Sequence, residues 1–390
     1  MAALVCLCTC LTAFATEEGA MYPPAYDAFE PWVDAEPSAS LTGDLGCKAG
    51  LLMEASTGEV LYAQSETDEL PIASVTKIMS TLLVTEALDK GKIAIDDMVT
   101  VSAYAASMGG SQVYLEPGEQ MSVDELLKCL IVVSANDAAV ALAEHIYGSA
   151  ESFIAAMNTR AEELGMVNTY FANTTGLDDG GYSSAKDVAI MTRELLKHPV
   201  IFNYTTIWMD TVRNGAFGLS NTNRLVRFYE GANGMKTGYT SEAMYCVSAT
   251  AKRGDMQLIA VVLGSPSSDE RFAAAKKMLD FGFANYAAVT PERVSLDPIA
   301  ISGGTERTVT ADYTPPSLLT EKGAGEVRTE IRMESSASAP INKGQVLGEA
   351  VFYVGETELC RVEITACHGV EKMNFGSLLG KIWENMLSFV

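Results

Sequence analysis

Apolar and polar positions follow two rhythms along this chain, and the switches between them divide it. From Lys48 an apolar run (Ala49 to Met53), a Ser56-Thr57-Gly58 turn and a second run (Val60 to Ala63) predict a strand hairpin. Apolar residues then recur three or four apart over Val75–Leu88, Val123–Val133, Ala138–Ile146, Ala150–Leu164 and Ala185–Leu196, which predicts a cluster of helices. Beyond Lys236 the strand pattern returns at Ala243–Ala251 and Leu258–Leu263, joined by a Lys252-Arg253-Gly254-Asp255 turn and followed by an amphipathic helix over Asp269–Tyr286. Strands at both ends of a helical insert predict an α+β domain over 45–288, its antiparallel sheet built from both ends of the segment. Past Pro291 the chain changes to short Val, Ile and Thr alternations at Arg307–Ala311, Val327–Met333, Val346–Val354 and Leu359–Thr365, a small all-β, sandwich-like domain over 289–371.

The two ends of the chain read differently. Residues 1–15 carry an apolar run closed by Ala13-Phe14-Ala15, the small-x-small pattern of a signal peptide, so the protein is expected to be exported. No Lys or Arg precedes Lys48, so the basic start of such a signal is missing and a truncated signal is expected. Residues 16–44 are rich in Pro and acid without periodicity and read as a flexible tether. Over 372–390, Leu378, Leu379, Ile382, Trp383, Met386 and Leu387 make one apolar helical stripe, too short to span a bilayer and interrupted by Lys381 and Glu384. Such a stripe fits either a membrane interface or a helix packed on the β domain.

Charge narrows the partners. Lys and Arg number 27 against 50 Asp and Glu, a formal net charge of -23, so the field of the protein repels nucleic acid and leaves any anionic substrate to a few local cations. Five cysteines follow the leader (Cys47, Cys129, Cys246, Cys360, Cys367) without zinc-ligand spacing, so no metal, no cofactor and no disulfide is assigned, and buried apolar thiols are expected.

The chemistry starts at Ser74-Val75-Thr76-Lys77, where a helical run opens just after Pro71 and brings Ser and Lys to one face, three apart. A serine hydroxyl needs a base, and a lysine serves when its surroundings lower its proton affinity. Ser183-Ser184-Ala185-Lys186 matches the same pattern, but there Ser183 or Ser184 reads as the N-cap of the next helix. What sets Ser74 apart is Ser134-Ala135-Asn136 about sixty residues later and Lys236-Thr237-Gly238 about a hundred after that, each without a second match in the chain. Alone, the first also fits a helix cap and the second a strand with a turn glycine.

In this order the three elements resemble those of the serine penicillin-interacting enzymes (SxxK, SxN, KTG). The likeness is nearest to the D-Ala-D-Ala carboxypeptidases, the low-molecular-mass penicillin-binding proteins. It covers about Lys48 to Tyr286 and extends to Pro71-Ile72-Ala73, Phe171 to Leu177, Tyr182 to Ala185 and Gly234 to Thr240. The resemblance implies a β-lactamase/transpeptidase-like fold, a stem peptide ending in D-Ala-D-Ala as substrate and β-lactams as covalent inhibitors. It implies that Ser74 attacks the penultimate carbonyl, Lys77 takes its proton, Ser134 with Lys236 returns a proton to the leaving amine, and Asn136 holds the peptide amide. The main-chain amides of Ser74 and Tyr239 would form the oxyanion hole, Gly238 would leave room for the peptide, and Thr237 with Arg271 would receive the terminal carboxylate. A class A β-lactamase would add a glutamate in an E-x-x-L-N segment, and no Leu-Asn pair occurs. A non-catalytic wall-binding protein would not need all five polar motif residues. The three histidines and the Asp178-Asp179 pair receive no catalytic role, the pair reading as turn chemistry among glycines.

Overall fold

The structure is a computed structural model that describes residues 45–177 and 180–376 together with Leu41 and Leu379. Its described residues fall into two compact units, dividing between Ala284 and Asn285. The leader, most of the tether, Asp178-Asp179 and most of the C-terminal stripe lie outside the described residues.

In the first unit β1 (Ala49–Glu54) and β2 (Val60–Gln64) form the expected hairpin, and every residue of β1 is buried. A strand covered on both faces is written as a continuous apolar run rather than an alternation, as Ala49 to Met53 is. The chain then builds α1 (Lys77–Asp89), β3 (Met98–Thr100), α2 (Ala103–Ala106), β4 (Gln120–Ser122), α3 (Val123–Val132), α4 (Asn136–Tyr147), α5 (Ala150–Glu163) and α6 (Ala185–Leu195). After α7 (Phe202–Thr205) come the β5 (Met209–Val212) and β6 (Phe217–Ser220) hairpin, α8 (Leu225–Phe228), three long strands β7 (Ala232–Thr240), β8 (Met244–Arg253) and β9 (Met256–Ser265), and α9 (Ser268–Asn285). The main sheet runs β2-β1-β9-β8-β7 with antiparallel pairing throughout, so β1 from one end of the unit pairs with β9 from the other. The expected closure of the sheet by both ends is the observed one. It also leaves β7, which carries the KTG residues, at an edge.

Serines set the helix starts: Ser102, Ser122, Ser149 and Ser184 each accept a hydrogen bond from the main-chain N–H three residues on, satisfying a donor that the helix leaves open. Ser184 is therefore the cap that the second Ser-x-x-Lys match suggested. One apolar core joins the sheet to α1, α5 and α6 and includes Leu51, Met79, Phe153 and Val261. A second, with Leu126, Leu130, Val140 and Leu142, holds α3 and α4 together. The short elements β3 to β6, α2, α7 and α8 escape a periodicity reading, because three or four residues give too few repeats to show a rhythm.

The second unit is all-β, with β10 (Tyr286–Val289), β11 (Ile299–Ser302), β12 (Thr308–Val309), β13 (Ala311–Asp312), β14 (Leu318–Glu321), β15 (Val327–Met333), β16 (Ser336–Ser338), β17 (Val346–Val354) and β18 (Thr357–Ala366). A four-stranded sheet β13-β18-β17-β15 and a three-stranded sheet β12-β11-β16 enclose a core of Ile299, Val309, Ala350, Phe352 and Ile364.

The five described cysteines do not share one environment: Cys129 and Cys246 are buried, Cys47 and Cys360 half-buried, Cys367 exposed. The expectation of buried thiols therefore fails at Cys367, the residue after β18, where the strand pattern has ended. Burial above all, with the Asp137 charge behind it, pushes the Cys129 thiol up to about 12, and the thiolate is the reactive form. At neutral pH a maleimide is expected to modify Cys367 in the folded protein and to reach Cys129 and Cys246 only after denaturation, as read by peptide mass mapping. Modification of Cys129 in the folded protein would contradict this packing.

Candidate active site

Ser74 lies in a 3-10 turn, Ala73–Thr76, that leads into α1 at Lys77. The α-helix thus starts two residues later than the sequence pattern suggested. The turn is entered through Ala73, whose φ of 46 is left-handed and keeps the preceding chain out of helical geometry. A 3-10 turn eclipses positions i and i+3, so the change of helix type brings Ser74 and Lys77 together. Lys77 Nζ donates to Ser74 Oγ at 2.9 Å and to the carbonyl of Thr175 at 3.1 Å. Lys77 is fully buried, whereas Ser74 is the one residue of 72–80 that is not buried.

The Thr175 carbonyl is aimed by a turn that Asn173 ties, its Oδ1 accepting from the main-chain N–H of Thr175 and Gly176 at 3.0 and 2.6 Å. Ser80 Oγ fastens the same loop to α1 through the Thr174 carbonyl at 2.7 Å. Gly176 (φ +74) passes so close to the nucleophile turn that a Cβ would stand 1.9 Å from the Ala73 carbonyl oxygen. The sequence showed Asn173-Thr174-Thr175-Gly176 as part of the resemblance and gave it no role; Asn and Gly flanking two threonines are the available turn signal.

Ser134 and Asn136 sit where α3 gives way to α4. Ser134 has φ 63, and its buried Oγ and the buried Oδ1 of Asn136 have no hydrogen-bond partner among the described residues. Asn136 is held from its other side, Nδ2 donating to the Gly109 carbonyl at 2.7 Å and its main-chain N–H to Ser111 at 2.7 Å. Asp137, which the sequence reading passed over, anchors this corner from full burial: its carboxylate accepts from the main-chain N–H of Val113, Leu115 and Ala138. Burial raises its proton affinity, and those three bonds oppose the rise.

On β7, Lys236 is buried and donates to the Thr237 carbonyl at 2.8 Å. Lys236 and Lys77 line one cavity of about 10 Å³ together with Thr81, Thr205 and Met235. Thr237 Oγ1 donates to Thr222 Oγ1 at 2.7 Å. A Cβ on Gly238 would meet the Ile72 carbonyl at 2.7 Å and Ser74 N at 3.0 Å, so only glycine lets this strand lie against the nucleophile turn. Tyr239 is exposed, its ring 4.4 Å from that of Tyr245. Arg271, in the first turns of α9, is buried; its Nη1 donates to the carbonyls of Gly238 and Cys246 at 3.1 and 3.2 Å and its Nη2 to Ser268 Oγ. The structure thus brings the first and third motifs together, through the cavity that Lys77 and Lys236 share and the approach of Gly238 to Ser74 N, and ties the α3–α4 corner to β7 through Thr222, whose N–H donates to the Val132 carbonyl.

The chain matches the model of the D-alanyl-D-alanine carboxypeptidase family over residues 35–267, and that of the C-terminal domain of penicillin-binding protein 5 over residues 300–372. It belongs to this carboxypeptidase family. It is 43% identical to the D-alanyl-D-alanine carboxypeptidase DacF of Bacillus subtilis, over 93% of this chain and 96% of that one. Penicillin-binding protein 5 from Haemophilus influenzae superposes with a TM-score of 0.76 at 31% identity, covering 85% of this chain and 99% of the other. Penicillin-binding protein D2 of Listeria monocytogenes, solved in its ampicillin-bound form, covers 62% of this chain and 99% of its own at 32% identity and a TM-score of 0.55. The fold is that of these penicillin-binding proteins.

Other titratable groups of this family member stand in structural roles. Ser183 Oγ pairs with Thr169 Oγ1 at 2.7 Å, His198 Nδ1 pairs with Asp89 at 2.5 Å, and His368 lies beside Glu306. Among the described residues no group of three or more His, Cys, Asp or Glu could hold a metal ion.

Proposed function

We propose that this family member is a serine D-alanyl-D-alanine carboxypeptidase that removes the terminal D-Ala from peptidoglycan stem peptides through an acyl-enzyme on Ser74, and that penicillins acylate the same oxygen. The observation that carries the reading is the 2.9 Å bond between Lys77 Nζ and Ser74 Oγ. As Oγ attacks the penultimate carbonyl carbon, its proton passes to the neutral Lys77 amine, the C–O bond forms and the carbonyl oxygen becomes the oxyanion. The amides of Ser74 and Tyr239 receive that charge, a reading supported by the close approach of Gly238 to Ser74 N. Collapse breaks the C–N bond, and a proton relayed through Ser134 with Lys236 goes to the departing amine. The unpartnered Ser134 Oγ suits this role, and the unpartnered Asn136 Oδ1 suits an incoming peptide N–H. Water then cleaves the ester and restores Ser74.

Thr237 and Arg271 are assigned to the substrate's terminal carboxylate. Arg271 supports it by holding the Gly238 carbonyl and by placing a buried cation behind β7 in a protein of charge -23. Arg271→Ala is expected to lower kcat/KM on a peptide ending in free D-Ala-D-Ala by at least tenfold, since hydrogen bonds to charged groups contribute about 1.5–3 kcal/mol. Some stability is lost as well, because two buried carbonyls lose their donor. The native enzyme is expected to turn over the C-terminally amidated peptide poorly. D-Ala release from the acid, and of the amidated D-Ala from the amide, tests the assignment; equal turnover of the two by the native protein would remove it.

Members of this family act on peptidoglycan, so the chain works outside the cytoplasm. Attachment to the membrane surface through Phe375–Val390 is proposed on the apolar stripe. Phe375 and Leu379, the described apolar residues of that segment, are exposed, and no described helix is long and apolar enough to cross a membrane.

A further inference from the structure

Between β6 and α8 the chain makes a turn, Asn221-Thr222-Asn223-Arg224, that belongs to none of the three motifs and yet bonds directly to one of them, at Thr237, and to the main chain two residues before another. Asn221 and Asn223 are buried and spent on the backbone: Asn221 Nδ2 donates to the Ile207 carbonyl at 2.7 Å, Asn223 Nδ2 to the Gly234 carbonyl at 2.8 Å, and Asn221 Oδ1 accepts from Asn223 N at 2.8 Å. Asn221 N donates to Trp208 O at 2.9 Å. Thr222 is thus clamped on both sides. Its own N–H donates to the carbonyl of Val132, two residues before Ser134, at 3.1 Å. Its hydroxyl, half-exposed between the clamps, meets Thr237 Oγ1 at 2.7 Å.

We propose that Thr222 is the positioning residue of the carboxylate site, acting through Thr237. The inference rests on the reading of Thr237 as the carboxylate's partner. In the structure Thr237 spends its only hydroxyl hydrogen on Thr222. A carboxylate accepts and cannot donate, so on arrival it takes that hydrogen, and Thr222 turns its own hydrogen onto Thr237 Oγ1. The present geometry suits Thr237 alone as donor, so the reversal needs both hydroxyl hydrogens to rotate and a small turn of the Thr222 side chain. It leaves a chain, Thr222 to Thr237 to carboxylate, in which each bond polarises the next. The turn therefore sharpens the preference for a free C-terminal carboxylate without adding a charge, and ties that preference to the Ser134 corner through Val132.

The test is Thr222→Val, which keeps the shape and the main-chain bond and deletes the hydroxyl, with Thr222→Ser as the conservative restoration. Thr222→Ala replaces the valine variant if that one does not fold. Rates are taken per penicillin-titrated site, so that misfolded protein does not count. The expected result is a fall of about tenfold in kcat/KM on the free-acid peptide, carried mainly by KM, as for one lost hydrogen bond in a chain to a charge. The amidated peptide should lose less than twofold, so the acid-to-amide ratio narrows, and serine should recover the native ratio. On a Thr237→Val background the Thr222 substitution should add nothing, because its effect passes through Thr237. An equal fall on both substrates would show a purely structural role and overturn the proposal, as would full additivity with Thr237→Val or a native ratio in Thr222→Val. If the native enzyme shows no preference for the acid, the carboxylate reading and this inference both fail; if it does and Thr222→Val keeps it, this inference alone fails.

Discussion

Ser74→Ala is expected to abolish penicillin labelling and to lower D-Ala release by about 10⁴-fold or more, the scale seen when the nucleophile of a serine hydrolase is removed. The fold should survive. Ser74 is only partly buried and contributes one hydroxyl to packing, and without it Lys77 Nζ still donates to the Thr175 carbonyl; a change in stability within about 1 kcal/mol follows. The matched control is Ser183→Ala, the other serine of an S-x-x-K match. Ser183 is fully buried and bonded to Thr169, so its loss should cost about 1 kcal/mol while labelling and turnover persist. Labelling by the first variant, or its loss in the second, would overturn the assignment of the nucleophile.

The second large effect is expected at a residue outside the three motifs, Gly176→Ala. Two penalties meet there. An L-residue at φ +74 costs about 1 kcal/mol, and the new methyl would stand 1.9 Å from the Ala73 carbonyl oxygen and 2.7 Å from Thr76 Oγ1. One side must move. On one side is the turn that presents Ser74, on the other the loop whose Thr175 carbonyl orients Lys77, so either shift spoils the Ser74–Lys77 pair. A displacement of about 1 Å at reacting groups can cost about a hundredfold in rate, and the strain should lower stability by roughly 2–4 kcal/mol. Gly165→Ala isolates the clash: φ there is +73, with nothing within 4 Å of the added Cβ. It should pay the conformational penalty alone and acylate with penicillin at the native rate. Acylation rates and melting curves for both variants decide the matter, and equal rates in the two would sink the argument.

Much of this was legible in the sequence because long elements and polar motifs carry strong signals. The run Ala49 to Met53, the cap before Ala185 and the final helix near Asp269 are each read by a local rule that the tertiary structure did not override. That the Ser74-Lys77 turn meets the Lys236-Gly238 strand was readable only through resemblance, since spacing along a chain does not fix spacing in space. What stayed hidden is main-chain work. The Thr175 carbonyl, the Gly238 approach and the left-handed Ala73 and Ser134 involve backbone atoms or conformations that no side-chain pattern reports. Asp137 was hidden for a related reason: its partners are three main-chain N–H groups, so nothing in the neighbouring sequence marks it. Arg271 matched by its place after β9, but sequence could not show that its guanidinium lies behind the strand on the Gly238 carbonyl.

The central claim is that one serine oxygen carries the acyl group. The direct measurement is mass spectrometry of the full chain incubated with penicillin, followed by tryptic mapping with fragmentation across the peptide from Ala49 to Lys77, which contains Ser56 and Ser65 as well as Ser74. The predicted result is one penicilloyl group per chain, located on Ser74 and absent from the Ser74→Ala variant. An adduct on any other residue, or a native chain that stays unmodified, would contradict the account.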